Sequence, residues 1–471
     1  MTTQQRTEMM GTEKIWKVFS IMAFPSIMAQ LSHCLYNLVD RFFMGQYVGS
    51  TALGAISLTS PLINIMAGLS LLITIGGAAL LSMDLGKDKI YEARVLFTNL
   101  MVQAVVTSFV LALIYFLFAP QIITVCGADE TSALYEDAVL YLRILSFGLM
   151  FQLLNAVQAS IIRAEGNAGY SLWVSLIGGG VNVVLDALLV VVIPMGVAGA
   201  AYATVASQFI SAVISTAYFF TGKSRMKWMG LKCLELRRNL EVIKAGMAPA
   251  ILQLLSFITG LILNNQLRQY GDLCSVTGDV AISAMSVVQT AESLFTGVVM
   301  GINQAISPII SYNYGAGKLR RVKEGTLLAV VVGSIFTTLS WVLMMFMPES
   351  LFRIFTDDNA LVSYGVHAIR LYRMFAMFVG IQTLCAMFFS SVGQPRTATV
   401  MSVLKQGAFL IPLYLILPHF LALDGVLLSM SVSDLLSTVV ILVLYIRGLR
   451  KLEPGEKEIN TGYCKEEKVY G

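Results

Sequence analysis

Long runs of apolar residues, separated by short polar, glycine- or proline-containing turns, make up most of this chain. A helix needs roughly 20 residues to cross the apolar layer of a bilayer. The runs are continuous and do not alternate polar with apolar positions, which favours helices over the strands of a barrel. The pattern predicts twelve transmembrane helices, at residues 15–40, 52–83, 92–119, 134–162, 170–193, 196–220, 240–268, 279–313, 322–347, 361–391, 396–419 and 423–447.

The composition agrees with a membrane protein. Of the 471 residues, 56% are hydrophobic and 13% are charged, about half the roughly 25% charge of a soluble domain. These values exclude a soluble enzyme, a nucleic-acid-binding protein and a disordered chain. The six cysteines lack metal-ligand or disulfide spacing, and no nucleotide-binding or hydrolase motif is present. We therefore expect neither ATP-driven transport nor enzyme activity, and no cofactor.

Lysine and arginine are distributed very unevenly about the predicted spans. With the N-terminus inside, 25 of the 32 basic residues lie in inner segments, three in outer loops and four within spans. Such basic segments stay on the cytoplasmic side of a membrane protein. We expect a multi-pass plasma-membrane protein with both termini in the cytoplasm. Its partners are expected to be the lipid bilayer and small molecules, and it is expected to act as a monomer.

The second half of the chain repeats features of the first at a separation near 227 residues. The matched features are Pro25 with Pro249, Gly86-Lys87 with Gly317-Lys318, and Gly166-Asn167 with Gly393-Gln394. A period of six spans keeps the two repeats in the same orientation. The sequence predicts an all-α polytopic membrane protein with two parallel six-helix repeats around a central cavity. The predicted units are an N-terminal lobe, a basic cytoplasmic linker, a C-terminal lobe and a polar tail, at residues 1–222, 223–244, 245–450 and 451–471.

Five local strings lie in a recognisable order on this plan. They are Val39–Gly45, Ile162–Asn167, Asn182–Asp186, Gly196–Ala201 and Pro308–Gly317. Together they resemble the multidrug and toxic compound extrusion (MATE) family of cation-coupled exporters, over essentially the whole chain from Lys14 to Arg450. The resemblance implies two six-helix bundles that alternate between inward and outward openings. It also implies export of organic, often cationic, compounds in exchange for sodium ions or protons.

Polar residues inside the spans are candidates for function, because a charge at a helix centre costs about 3 kcal/mol or more. The most informative set is Asp40, Asn182, Asp186 and Thr204. Asn182 and Asp186 share one face of the fifth span, and the helical rise brings all four to a similar depth. Their oxygen atoms suit a small cation, and two close carboxylates can equally exchange a proton. At matching positions the MATE family has its N-lobe cation site, so the resemblance implies ion coupling here, with Na⁺ as the bound metal if the protein is sodium-coupled.

The same residues have a plainer interpretation. Asp40 could face water at the end of the first span, and Asp186 could only join neighbouring helices. One branch of the family also has acidic ligands inside the seventh and tenth spans. This chain has no Asp or Glu between Pro249 and Leu267 or between Leu361 and Ser391. The ion-coupling hypothesis therefore depends on the N-terminal lobe.

The C-terminal lobe has candidates of its own. Gln289 and Glu292 in the eighth span are candidates for a substrate cavity, or Glu292 could instead pair with Lys405. Lys405 is also expected to neutralise Asp434 in the adjacent span, because both lie at similar depths. Pro25 breaks the first helix near mid-membrane and is a candidate hinge.

The leading hypothesis is a secondary antiporter that exports amphipathic, cationic drugs or metabolites in exchange for Na⁺ or H⁺ by alternating access. The alternative is a lipid-linked oligosaccharide flippase of the same superfamily, which needs a cationic cavity for a pyrophosphate. Intramembrane cations are few, and Glu292 and Asp434 offset them. The sequence favours the antiporter.

Overall fold

The computed structural model describes residues 2–126, 133–271, 278–354 and 358–450. These residues form helices and contain no strand. The α-helices are α1 (Thr3–Thr12), α2 (Ile15–Phe43), α3 (Ser50–Gly86), α4 (Ile90–Leu117), α5 (Ala119–Val125), α6 (Ala133–Ala164), α7 (Ala168–Asp186), α8 (Gly196–Phe220), α9 (Leu236–Gly271), α10 (Gly278–Gly315), α11 (Leu319–Phe346), α12 (Pro348–Arg353), α13 (Asn359–Tyr372), α14 (Val379–Ser391), α15 (Pro395–Val403) and α16 (Ile411–Arg450). The predicted polar tail, residues 451–471, lies outside the described residues.

The number of membrane spans depends on how two interrupted helical runs are counted. Ten helical runs of the described residues are long and apolar enough to cross a membrane. α13 and α14 together form one more span, the tenth in chain order, which is bent by 52° between Tyr372 and Ala376. The run from Pro395 to Arg450 holds two spans, because the backbone leaves the helical region at Ala422 (φ 47°, ψ −130°). Twelve spans result, and the predicted all-α fold is confirmed.

The repeat is visible in the turns that end corresponding spans. Gly166 and Gly393 both adopt the left-handed conformation, with φ of 82° and 73°. Glycine takes this conformation without the steric cost that a Cβ brings. The following residues, Asn167 and Gln394, also have closely similar backbone angles. The match between these two turns is confirmed.

The match of Gly86-Lys87 with Gly317-Lys318 is wrong by two residues. α3 and α10 cross where a Cβ on Gly86 would overlap the carbonyl of Tyr312, and one on Gly315 would overlap the carbonyl of Met83. Gly86 and Gly315 are 229 residues apart, and so are Met83 and Tyr312, so the two contacts are equivalent in the two repeats. Gly86 therefore matches Gly315. The sequence match failed because the left-handed residue of the first turn is Asp88 (φ 58°), whereas its equivalent is a glycine.

The two lobes meet along α2, α3, α9 and α10. Two amide pairs join them near the middle of the spans: Gln304 Nε2 donates to Gln30 Oε1 at 3.3 Å, and Gln253 Nε2 donates to Asn64 Oδ1 at 3.4 Å. We call the end of the molecule that carries α1, the turn at residues 165–167 and residues 221–235 the linker side. Between the amide pairs and the linker side, the helices of the two lobes cross closely at glycines.

Gly246 is the closest of these crossings, and we predict that it does not tolerate a methyl group. In Gly246→Ala the new Cβ would overlap the carbonyl of Leu72, so α3 and α9 must separate. Overpacking of this kind costs about 1–3 kcal/mol. Gly260→Ala, on the same helix, is the matched control, because nothing lies within 4 Å of its Cβ. The midpoint of thermal unfolding in detergent should fall for Gly246→Ala and hold or rise for Gly260→Ala, and equal midpoints would contradict the crossing.

Candidate functional site

Two polar side chains lie one turn apart on the same face of α7. Asn182 is 1% exposed and Asp186 is 0% exposed. Both polar atoms of the Asn182 amide and both oxygens of the Asp186 carboxyl group lack a hydrogen-bond partner within the described part of the chain. Buried polar atoms are nearly always paired, so an unpaired group of four on one helix face requires an explanation.

Asp40 on α2 belongs to the same group. Its Oδ1 atom is buried and also lacks a hydrogen-bond partner among the described residues. The carboxyl groups of Asp40 and Asp186 interact electrostatically with each other and with the phenol of Tyr141 on α6, which is 4% exposed. We call Asp40, Asn182 and Asp186 the carboxylate cluster. No ion pair joins either carboxylate to a cation in the described ranges, and the neighbouring Arg41 is exposed.

Small residues on α7 hold the neighbouring helices close to the cluster. Gly178 approaches α8 so closely that a Cβ there would overlap the hydroxyl of Ser211. A Cβ on the next residue, Gly179, would lie 3.3 Å from the ring of Tyr36 on α2. Small residues let membrane helices pack with their backbones near each other. The glycine pair therefore brings α2 and α8 onto the helix that carries Asn182 and Asp186.

Both carboxylates are followed by a short π-helical segment, which the sequence did not predict. One segment is Met44–Val48, after Asp40, and the other is Ala187–Val192, directly after Asp186. The two segments contact each other. A π-helical turn changes the backbone hydrogen bonding and is frequent at functional sites. Residue types do not mark such turns, so hydropathy and spacing gave no signal for them.

The oxygen atoms of the cluster fit a small hard cation or a proton. Two carboxylates and an amide oxygen are hard ligands of the kind that alkali and alkaline-earth ions take. No group of three or more His, Cys, Asp or Glu residues in the described ranges could hold a metal ion. A proton shared between two carboxylates would likewise satisfy oxygens that now lack a partner.

Thr204 lies on α8, which packs on α7, and is half-buried. Its backbone carbonyl accepts a hydrogen bond from Ser207 Oγ at 2.8 Å. Its predicted role as a fourth ligand stays a prediction. Pro25 lies inside α2 without ending it, so its predicted role as a hinge also stays a prediction.

Two carboxylates of the C-terminal lobe, Asp434 and Glu292, lie in ion pairs, each of which has one buried partner. Lys405 Nζ lies 2.9 Å from Asp434 Oδ1, which confirms the predicted pair. Glu292 Oε1 lies 3.0 Å from Arg373 Nη1, so the suggested pairing of Glu292 with Lys405 is wrong. The sequence did not predict that Arg373 pairs with Glu292. Arg373 follows α13 at the break in the tenth span, so its depth cannot be calculated from a regular helical rise.

A polar face of α10 lies at the seam between the lobes, on the side of the amide pairs away from the linker. Ser286, Gln289 and Ser293 are exposed along this face at helical spacing. The Ser293 carbonyl accepts a weak bond from Cys34 Sγ of α2 at 3.9 Å, which places the face next to α2. Asn37, one turn beyond Cys34, is exposed as well. The lobes are thus closed toward the linker side and present exposed polar groups on the other.

Comparisons with known proteins agree on one family. The family model MatE matches residues 25–188 and 270–416. The multidrug export protein MepA of Staphylococcus aureus (strain N315) is 25% identical over 436 residues, covering 92% of this chain and 94% of MepA.

Solved structures give the same result. The MATE multidrug transporter DinF-BH, solved in complex with R6G, is 30% identical, covers 93% of this chain and 96% of its own, and has a TM-score of 0.85. An outward-facing multidrug resistance MATE transporter of the MOP superfamily has a TM-score of 0.88 at 17% identity, with 94% and 98% coverage. The family model, the curated relative and the 30% identical structure together cover both lobes. The chain belongs to the MatE family and is a multidrug efflux transporter.

Proposed function

We propose that this protein is a secondary antiporter, which exports amphipathic, cationic compounds in exchange for Na⁺ or H⁺. The observation that supports this is the carboxylate cluster, whose buried oxygens have no partner in the described residues. A charged group in a membrane interior is costly unless it is paired or has a function. A bound Na⁺ or proton would neutralise the cluster, and its release would restore the charge. No catalytic residue is assigned.

Asp40 and Asp186 connect ion binding to helix movement. They lie on α2 and α7, and their charges repel each other when no cation is bound. A bound cation or proton removes that repulsion and favours an arrangement in which the two helices approach. An ion shifts a conformational equilibrium only through such a difference in affinity between two states. The two π-helical segments that follow the carboxylates lie in contact and would move with them.

The substrate would enter the polar seam between α2 and α10. Gln289 is exposed on that seam, whereas Glu292 is paired with Arg373. A paired Glu292 has less charge to offer a cationic compound than an isolated one. We therefore assign cavity lining first to Gln289, and we assign Glu292 to holding Arg373 at the edge of the cavity.

The flippase alternative is disfavoured by the ion pairs. A pyrophosphate requires free cations in the cavity, and two of the four intramembrane cations, Arg373 and Lys405, are already neutralised by carboxylates. The carboxylate cluster would also repel an anionic substrate. The antiporter remains the function that these residues support best.

Cells that express the protein provide the test of export. R6G, the compound bound by the related DinF-BH, is the first test substrate. We expect lower R6G accumulation in expressing cells, and we expect this difference to vanish when ionophores collapse the Na⁺ and H⁺ gradients. R6G export that persists after both gradients are collapsed would contradict a secondary antiporter.

The orientation of the protein is the second part of the proposal: both termini and the linker at residues 223–244 lie in the cytoplasm. Lys232 and Arg268 are exposed and lie at opposite ends of the molecule. In a variant without native cysteines, an impermeant thiol reagent should label Arg268→Cys in intact cells. It should label Lys232→Cys only after permeabilisation. The reverse pattern would invert the topology.

A further inference from the structure

α1 lies on the linker side and bridges the seam between the two lobes. It begins with a capping box formed by Thr2 and Gln5, so it is a helix with a defined start. The residues it buries are near its end: Thr7, Met9, Met10 and Gly11. It therefore packs against the rest of the protein through its C-terminal half.

Three side chains of the C-terminal lobe bind the carbonyl end of α1. The bonds run from Asn313 Nδ2 to Met10 O (2.9 Å), from Lys318 Nζ to Gly11 O (2.8 Å), and from Arg321 Nη2 to Met10 O (3.1 Å) and Glu13 O (2.6 Å). The last carbonyls of a helix lack an intrahelical partner and form the negative end of its dipole. Two cations and an amide satisfy them here. We call Asn313, Lys318 and Arg321 the carbonyl clamp.

The clamp is rigid because its members bind each other. Arg321 Nε donates to Asn313 Oδ1 at 2.9 Å, and Asn313 is 0% exposed. The amide of Asn313 also donates to the carbonyl of Ile309 within α10 at 2.8 Å. Bonds in which the donor is charged are stronger than neutral ones. The clamp therefore fixes the end of α1 to the turn between α10 and α11.

Apolar packing joins α1 to the same lobe. Met9 and Met10 belong to one buried cluster with residues of α10 and α11, among them Ile306, Ile310 and Val322. The same cluster includes α2 residues from Ile15 to Ala23, just before Pro25. Beyond the proline, α2 packs along α7 near Ser32 and Tyr36. The linker-side half of α2 thus shares a core with the C-terminal lobe, whereas the other half packs on α7 and also contacts α10 at Ile27 and Cys34.

The contacts of α1 with the N-terminal lobe are weaker. The Thr7 hydroxyl donates to the Glu165 carbonyl at 3.3 Å, and the Thr3 hydroxyl donates to the Lys223 carbonyl. Gly166 packs on the backbone of Arg6, where a Cβ would lie 2.9 Å from the Arg6 carbonyl. These contacts involve neutral hydroxyls and backbone atoms, without a charged donor. When the seam parts, this is the side of α1 that should separate first.

We propose that α1 is a strap that moves with the C-terminal lobe, and that the linker side opens between α1 and the turn at Glu165–Gly166. In this proposal Asn313, Lys318 and Arg321 are positioning residues for the transport cycle. They keep α1 and the first part of α2 on the C-terminal lobe while the rest of α2 stays on α7. The inference rests on the proposed function, because only a transporter that opens on both sides needs this seam to part.

Two reversible links test which lobe α1 follows. In a variant without native cysteines, Thr3→Cys with Lys223→Cys joins α1 to the N-terminal lobe, where the Thr3 hydroxyl contacts residue 223. Thr12→Cys with Glu324→Cys joins α1 to the C-terminal lobe, since both residues line one groove of about 420 Å³ between α1 and α11. A short reducible bis-thiosulfonate reagent closes each pair in reconstituted vesicles. R6G transport is measured before linking, after linking and after reduction.

The link to the N-terminal lobe should lower transport by more than about tenfold, because it holds the seam shut, and reduction should restore it. The link to the C-terminal lobe should leave transport unchanged, because it joins parts that move together. Unchanged transport with both links, or a block by the C-terminal link alone, would overturn the proposal. Recovery after reduction separates a locked protein from a misfolded one.

Distances between spin labels provide a readout that does not depend on export. With labels on Thr3→Cys and Lys223→Cys, the distance distribution should gain a longer component as the Na⁺ concentration and pH are varied. Labels on Thr12→Cys and Glu324→Cys should keep one distance throughout. A longer distance in the second pair, or one fixed distance in the first under every condition, would overturn the strap. Loss of R6G transport in the unlinked wild-type protein would instead refute the proposed function.

Discussion

Asp40→Asn and Asp186→Asn, which each remove one charge of the carboxylate cluster, are each expected to lower gradient-driven export by more than about tenfold. A coupling free energy of about 1–3 kcal/mol between two sites changes an affinity by about 5- to 150-fold. The amide keeps the size and a hydrogen-bonding oxygen but removes the charge. A site that no longer changes charge on ion binding cannot transmit the gradient to α2 and α7. Membrane levels should stay normal, because a buried amide is less costly than a buried carboxylate. Export rates normalised to membrane levels provide the measurement.

Asp424→Asn is the matched control for these variants. Asp424 is a carboxylate near the start of the last span, but it is half-exposed and paired with His367 at 2.8 Å. Its replacement removes the same charge from the same protein without touching the cluster. Export should remain near the wild-type rate. Normal export by both cluster variants would contradict ion coupling at Asp40 and Asp186.

Breaking the Lys405–Asp434 pair should produce the largest loss of stability. The side chain of Asp434 is fully buried and that of Lys405 is 14% exposed, with 2.9 Å between the charged atoms. Removing one partner of a buried pair leaves an uncompensated charge, which costs about 3–5 kcal/mol. Lys405→Ala and Asp434→Ala should each lower the midpoint of thermal unfolding in detergent. The double variant should lose much less than the two losses combined, because it leaves neither charge alone.

The exposed pair of Arg353 with Glu349 shows what a surface contact contributes. It has a similar length, 2.9 Å, but both side chains are about half-exposed. Exposed pairs contribute about 0–1 kcal/mol, so Arg353→Ala should change the unfolding midpoint little. If the loss of thermal stability in the double variant equals the sum of the losses in Lys405→Ala and Asp434→Ala, the two charges do not stabilise each other, which would contradict the buried pair.

The fold was predictable because, in a bilayer, the hydropathy of a segment determines whether its backbone is helical. Backbone groups in lipid must bond within their own segment, so each long apolar run becomes a helix. The predicted break between residues 419 and 423 matches the departure from helical geometry at Ala422. The short helices α5 and α12 and the bend of 52° after Tyr372 were not predicted. They depend on local packing and not on the hydropathy of a 20-residue window.

The candidate site was predictable where helical geometry alone fixes a position. The spacing of Asn182 and Asp186 placed both on one face of α7, and both are buried there. Lys405 and Asp434 were matched by depth on adjacent spans, and they pair. Tyr141 was missed because only the packing of α6 brings its ring to the two carboxylates. The π-helical segments were missed because no residue type encodes them.

Reconstituted vesicles provide the most direct measurement of ion-coupled export by this chain. R6G movement against its own concentration gradient is followed under an imposed Na⁺ gradient at equal pH, under a proton gradient without Na⁺, and with no gradient. We predict that at least one of the two gradients drives R6G transport by the wild-type protein, and that neither gradient drives it in the Asp40→Asn/Asp186→Asn double variant. Wild-type transport that is the same with and without either gradient, or a double variant that equals wild type, would contradict ion-coupled export through this cluster.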